Sequence, residues 1–396
     1  MKELLPLDHA YELIDKHVAE LEAKATSLEQ APGSILKQEI FADRDEPPFD
    51  RSAMDGFAVL KTEQRELGQT WELNGEIQPG DSHHAKLLPG QCIKIYTGAC
   101  VPENARVIKK EDVDLHDNRA VLNHLDNEDH IRYRGTQAKK GEVLLSQGTE
   151  LQAVELSICA SVGMTEPLVS RRPRVIHVAT GNELVDPQKN PLATEIRDSN
   201  STLIACLLKE QGVDLIGQYR LKDNLEAAQK LMGEIPDYDL ILFSGGASVG
   251  DYDIGRPLLE KMGYKIHFSR LNLRPGKPSI FGTKENQAAF VIPGNPVSHV
   301  VVFHRLVRRA LMCMQGKHTG LQKVRAKLVE GISARSGKRL TFNPAIVFYE
   351  TGRCQVRPLS WHHSGDLHAL AGVNGLISID PENIPKKGDK ILVDLL

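Results

Sequence analysis

Four short apolar runs between residues 175 and 292 each end in a turn built from glycine, proline or small polar residues. Val175-Ile176-His177-Val178-Ala179 ends in Thr180-Gly181-Asn182-Glu183. Tyr238-Asp239-Leu240-Ile241-Leu242-Phe243 ends in Ser244-Gly245-Gly246-Ala247-Ser248-Val249-Gly250-Asp251-Tyr252-Asp253. The strand-like run from Tyr264 to Leu273 ends in Arg274-Pro275-Gly276-Lys277-Pro278, and Ala288-Ala289-Phe290-Val291-Ile292 ends in Pro293-Gly294-Asn295-Pro296-Val297-Ser298. Runs of this length, bounded by turn residues, read as buried strands. Helical patterns lie between them. Leu203, Ile204, Leu207 and Leu208 follow a cap-like Ser199-Asn200-Ser201, with Gly212 as a stop; 225–232 reads as a helix, and 297–314 as a long apolar one. Val213 to Tyr219 reads as a further strand. Strands alternating with helices predict parallel βαβ units with right-handed crossovers. In such sheets ligands sit outside the carboxyl ends of the strands, so the four turns are predicted to converge on one pocket.

The turn after Phe243 carries the most chemistry. Its glycines allow close backbone approach, and successive N–H groups in such a turn form a concavity for anions. Asp251 and Asp253 follow, and paired carboxylates suit a hard cation beside that anion. The segment therefore reads as a site for a phosphate-bearing ligand with Mg²⁺. A glycine-rich strand-to-helix turn without a ligand is the plainer alternative.

At 396 residues the chain is long enough for two to four domains. Its 49 basic and 52 acidic residues are near balance, which gives no electrostatic footprint for nucleic acid. No apolar run approaches the ~20 residues of a membrane span, and the N-terminus carries no signal-peptide pattern. Six cysteines stand singly, with no Cys-x-x-Cys pair, which fits a reducing cytoplasm and argues against a zinc site or a disulfide framework. His83-His84 and His362-His363 read as surface-loop residues. The first 22 residues read as one amphipathic helix with Ala10, Leu13, Ile14, Val18 and Leu21 on one face. Residues 41–146 are strand-like with frequent glycine and proline. Within them Pro47 to Ala58 is a charged, glycine-containing turn expected to lie outside any core. From Leu321 on, the chain reads as a small separate β domain.

Seven motifs, in order, resemble the molybdopterin molybdenumtransferase family (bacterial MoeA and the gephyrin E domain). They are Ser52-Ala53-Met54-Asp55-Gly56-Phe57-Ala58, Tyr96-Thr97-Gly98-Ala99, Arg134-Gly135, Thr180-Gly181-Asn182-Glu183-Leu184, Ser244 to Gly250, Arg274 to Pro278 and Pro293 to Ser298. The resemblance implies a multidomain α/β plus β chain. Its central α/β domain, of molybdopterin-binding type with a mainly parallel sheet, would span 1–22 and 168–320. A linking domain would span 23–41 and 140–167, a β-rich inserted domain 42–139, and a C-terminal β domain 321–396. The implied reaction takes adenylylated molybdopterin and molybdate and yields molybdenum cofactor and AMP, with Mg²⁺, in a cytoplasmic homodimer that other cofactor-biosynthesis proteins accompany. Carried over residue by residue, Asp251 and Asp253 would hold Mg²⁺. Lys277 and Ser298 would meet an anion, and Glu183 and Asp223 would face the nucleotide or metal. Asp55 and Thr97 would complete the site of the other subunit. Thr180, Gly181, Ser244, Gly245, Gly246, Ser248, Arg274, Gly276, Pro293, Gly294, Asn295 and Pro296 would line the substrate. Asp223 also stands just before a helix, where Asp is a common N-cap.

The chain departs from the family at several places. Arg134-Gly135 is followed by Thr136-Gln137 instead of two carboxylates. Arg270 and Arg274 replace lysines. Asn343-Pro344 stands where the family offers an arginine that helps bind molybdate, and His363-Ser364-Gly365-Asp366 shifts a serine of the tail. Two functions are therefore expected from the sequence: the transferase, and a diverged relative that binds a pterin or nucleotide, or acts as a scaffold, without transferring molybdenum.

Overall fold

The computed structural model describes residues 4–81, 86–246, 255–317, 320–332 and 338–396. The chain forms two compact units. One comprises Met1–Lys24, Gly33–Ile35 and Val169–Leu396, the other Ala25–Pro32 and Leu36–Leu168. This division is coarser than the four segments expected from the sequence.

The first unit is built on a six-stranded sheet in the order Asp214–Leu221, Arg174–Thr180, Leu240–Ser244, Gln287–Ile292, Ile280–Lys284, Lys265–Phe268. The first four are parallel, and each of the last two is antiparallel to the strand before it. The apolar runs of the middle strands are continuous because both faces are covered. Leu240, Leu242, Ala288, Phe290 and Ile292 face one core with the helices Leu7–His17 and Ser199–Glu210 and the long helix that starts at Pro296. Ile241, Phe243, Ala289 and Val291 face the other, with Ala228, Leu258 and Leu259 from two further helices. The predicted helix at 225–232 is found as Leu225–Met232.

The N-terminal helix is shorter than expected. It ends at His17, and Val18 is extended (φ −95°, ψ 114°). Val18 and Leu21 are nevertheless buried in the same core. The apolar spacing persists past the helix because the extended chain crosses the same surface, where the Leu21 amide donates to the Met314 carbonyl (2.9 Å). The run 264–273 is not one strand. Lys265–Phe268 ends the central sheet, and Leu273–Arg274 pairs in parallel with Leu340–Thr341 of the C-terminal sheet. That C-terminal sheet closes on itself. Leu340–Glu350 pairs with both Arg353–Pro358 and Gly375–Ile379, while Lys323–Leu328 and Lys390–Leu395 complete the ring.

The second unit carries a six-stranded sheet in the order Ala105–Lys109, Gly56–Leu60, Gln91–Ile95, Thr70–Ile77, Arg119–Leu122, Val113–His116. Here the turn expected outside any core is partly inside one. Gly56–Leu60 is an interior strand, with Phe57, Ala58 and Val59 buried on alternate faces. A Cβ at Gly56 would overlap the Ile108 carbonyl of the neighbouring strand, so glycine is what admits this close pairing. Only Ala53–Asp55 serves as the turn, since Arg51–Ser52 pairs with Ile131–Arg132. All six cysteines are free thiols, and His362 and His363 are exposed. His83 and His84 lie outside the described residues. Among the described residues no helix is long and apolar enough to cross a membrane.

Candidate functional site

Register brings the expected turns to one edge of the central sheet. Thr180 pairs with Leu221, Ala179 with Ser244, Ser244 with Ile292, and Val291 with Ile280. The ends of three parallel strands therefore meet at Gly181, Gly245 and Pro293, and the Arg274–Ser279 turn enters the same edge at Ile280. That last turn leads into an antiparallel strand and does not follow a parallel one, which corrects the expected route but not its destination.

The turns interlock. The Gly245 amide donates to the Ile292 carbonyl (3.0 Å), and Gly245 has φ +100°. A Cβ there would overlap the Thr180 carbonyl and lie 2.7 Å from Thr180 Oγ1. A Cβ on Gly294 would sit 3.7 Å from Gly245 Cα, and Asn200 Nδ2 donates to the Gly294 carbonyl (2.7 Å). Gly181 donates to the Leu221 carbonyl (3.0 Å), and the Asp223 amide donates to Asn182 Oδ1 (3.2 Å). The Glu183 carboxylate folds over Gly181, 2.9 Å from where a Cβ would stand. Thr180 Oγ1 and Asn200 Oδ1 are buried here without a hydrogen-bond partner. Buried polar atoms rarely stay unsatisfied, so each is open to a hydrogen bond from water or a ligand.

Asp223 is not the helix cap that its position suggested. Asn224 caps Leu225–Met232, its Oδ1 accepting from the Glu226 and Ala227 amides (2.9 and 3.2 Å). Likewise Asp198, not the Ser199-Asn200-Ser201 run, caps the preceding helix by accepting from the Ser201 amide. Gly276 lies where a Cβ would come 2.5 Å from Val302 Cγ2, so the Arg274–Pro278 turn packs directly on the long helix. Lys277 is half-buried. Asn295 starts that helix, Pro296 is its first residue, and Ser298 in its first turn is buried. Ser248, Asp251 and Asp253 lie outside the described residues.

The tail contributes backbone to this edge. The Val297 amide donates to the Ser364 carbonyl (3.0 Å). Asn343, standing where an arginine was expected, is fully committed. Its Nδ2 donates to the Pro344 and Leu359 carbonyls (2.9 and 3.1 Å), and its Oδ1 accepts from Trp361 Nε1 (3.1 Å). Arg339 Nη1 donates to the Leu273 carbonyl (3.3 Å).

In the second unit, Asp55 and Thr97 form a pair. Asp55 Oδ1 accepts from the Thr97 amide (2.9 Å) and hydroxyl (2.8 Å), and Lys110 Nζ stands 3.9 Å from Oδ2. The Thr97 amide, then its hydroxyl, hold the Asp55 carboxyl below its usual range, with Lys110 and Lys94 adding to them. Arg134 pairs with Asp45 (2.7 Å), and the Gln137 amide donates to the Glu46 carbonyl (2.8 Å), so the altered Thr136-Gln137 turn is held through its backbone.

Comparison with known proteins agrees with this architecture. Residues 5–163 match the MoeA N-terminal region (domain I and II), 176–312 the "Probable molybdopterin binding domain", and 326–396 the MoeA C-terminal region (domain IV). A molybdopterin molybdenumtransferase of Nostoc sp. is 31% identical over 97% of this chain and 91% of its own, and one of Haemophilus influenzae 30% over 96% and 95%. The chain belongs to the molybdopterin molybdenumtransferase family. That membership makes it an enzyme-family protein of molybdenum cofactor biosynthesis. A molybdopterin biosynthesis MoeA protein of Pyrococcus horikoshii superposes with a TM-score of 0.80 at 26% identity, covering 100% of both chains. Three polar residues at or behind this edge escaped the sequence reading: His177 against Ser244, Asn200 as the donor to the Gly294 carbonyl, and Gln218 against His177. A histidine in the midst of a buried apolar strand was the available signal for the first.

Proposed function

We propose that this chain inserts molybdenum from molybdate into adenylylated molybdopterin and releases AMP. The observation that carries the reading is the meeting of four turns at one sheet edge around two buried, unpartnered polar atoms, Thr180 Oγ1 and Asn200 Oδ1. Backbone at Gly245–Gly246 would approach the phosphates, Lys277 would supply positive charge, and Glu183 and Asp223 would face the nucleotide. The chain would act as a four-domain homodimer, with Asp55 and Thr97 of one copy completing the other copy's site. Asp251 and Asp253 would hold Mg²⁺, which neutralises charge on transferred phosphates. Among the described residues, which do not include Asp251 and Asp253, no group of three or more metal-ligating side chains is present.

A second reading is favoured by the tail. Asn343 has no free donor, and the Ser364 carbonyl occupies an amide of the long helix. A missing charged contact costs roughly 1.5–3 kcal/mol, about ten- to a hundredfold in affinity. Molybdate would then bind weakly while the pterin nucleotide binds normally, as in a diverged binder.

The test is AMP release from adenylylated molybdopterin with molybdate and Mg²⁺, with light scattering on the same protein. The expected result is Mg²⁺-dependent release by a dimer, with the metal dependence lost when Asp251 and Asp253 are both changed to Asn. Nucleotide binding without release would establish the diverged reading.

A further inference from the structure

Ser244 closes the central strand at the site edge, and its hydroxyl is held from behind by the buried His177 ring, which the exposed Gln218 holds in turn. His177 Nε2 lies 2.6 Å from Ser244 Oγ. His177 Nδ1 lies 3.1 Å from Gln218 Nε2, which is also 2.9 Å from the Ser201 carbonyl oxygen. A carbonyl can only accept, so the Gln218 atom must be the amide nitrogen, and its two hydrogens serve the two neighbours. A ring nitrogen that receives an N–H carries no proton of its own. Nδ1 is therefore bare, and the proton of the neutral ring sits on Nε2 and is donated to Ser244 Oγ. The ring is fully buried. Burial, with His299 adding to it, lowers its pKa to about 3, so it takes no second proton at neutral pH. The other charged group that faces it, Asp198, is occupied by Ser201 and Arg220.

With one lone pair filled from behind, the Ser244 hydroxyl hydrogen has to point away from His177. We propose that His177 is a positioning residue that fixes the Ser244 hydroxyl as a hydrogen-bond donor to an acceptor oxygen of the bound ligand. This rests on the reading of the strand edge as the substrate site. It deepens that reading by requiring an oxygen, as on a phosphate or molybdate, opposite Ser244. It also excludes His177 as a general base for that serine.

The test pairs calorimetry with histidine ¹⁵N spectra. AMP and molybdate are titrated separately into wild type, Ser244→Ala, His177→Leu, His177→Gln and the Ser244→Ala/His177→Leu double variant. Each loss should weaken the ligand that meets Ser244 by about five- to tenfold. The double variant should be no weaker than Ser244→Ala alone, because His177 acts through Ser244. His177→Gln, which keeps a donor near the Nε2 position, should recover most of the affinity. The spectra should show Nε2 protonated and Nδ1 bare from about pH 5 to about pH 8. Additive losses, or a proton on Nδ1, overturn the proposal. So does a His177→Leu variant that binds as wild type does. Wild type that binds neither ligand overturns the site reading itself, a different failure.

Discussion

Asn224 rather than Asp223 holds the start of the helix Leu225–Met232, and that one-residue choice leaves the Asp223 carboxylate uncommitted at the site edge. The Asp55–Thr97 pair is organised the other way, with the carboxylate engaged by a neighbour through one oxygen and exposed at the other. Asp55 is a partly exposed turn residue outside the apolar cores, so Asp55→Ala should lower AMP release at least tenfold and shift the urea midpoint little. An equal loss of activity and stability would make the pair structural. Thr97 holds the carboxyl below its usual range, so Asp55 stays ionised to a lower pH than an ordinary aspartate. The acid limb of the activity profile should therefore not report it.

At the scale of elements, the site depends on strands that can approach because a side chain is missing. Gly245 combines φ +100° with contact against Thr180. Gly245→Ala should cost about 2–3 kcal/mol through backbone strain, with the overlap on Thr180 adding to it. It should also abolish AMP binding, since the Thr180 and Ser244 turns would have to separate. Urea unfolding and calorimetry read the two effects, and unchanged AMP affinity would remove this turn from the site. The long helix that starts at Pro296 adds its own constraint. Its first turn is capped by the Ser364 carbonyl from the tail, and a five-residue π-helical segment, Phe303–Val307, interrupts it. Such segments recur at functional sites.

Across the whole molecule, burial of neutral histidines sets the response to acid. Burial, reinforced by His299, lowers His177 to about 3; burial lowers His299 to about 4, and burial with Arg308 and Arg305 lowers His304 to about 4. Unfolded, each has a pKa near 6.5. Below that value the unfolded chain binds protons that the folded chain refuses, so stability falls with pH, until the folded values near 4 are reached. Each histidine contributes about 1.4 kcal/mol per pH unit in that window. The urea midpoint should drop between about pH 7 and about pH 5, and His304→Gln should make the drop shallower. A flat midpoint would mean that these rings are hydrated in solution.

The sequence by itself determined the alternation of strands and helices, because a run such as Leu240–Phe243, buried on both faces, and a helix such as Leu225–Met232 are written in local periodicity. It also marked the turns at Thr180, Ser244, Arg274 and Pro293, since glycine and proline declare backbone needs that no neighbour has to supply. The tertiary structure alone decided how long the first helix runs, because Val18 and Leu21 serve the same core whether helical or extended. It alone put Gly56–Leu60 inside a sheet, where a charged preceding turn gave the opposite impression. It alone spent Asn343 on Trp361 and Leu359, and joined Gln218, His177 and Ser244 across three strands. Hydrogen-bond partners far apart in the chain leave no periodic trace, so only the register of the folded sheet can bring them together.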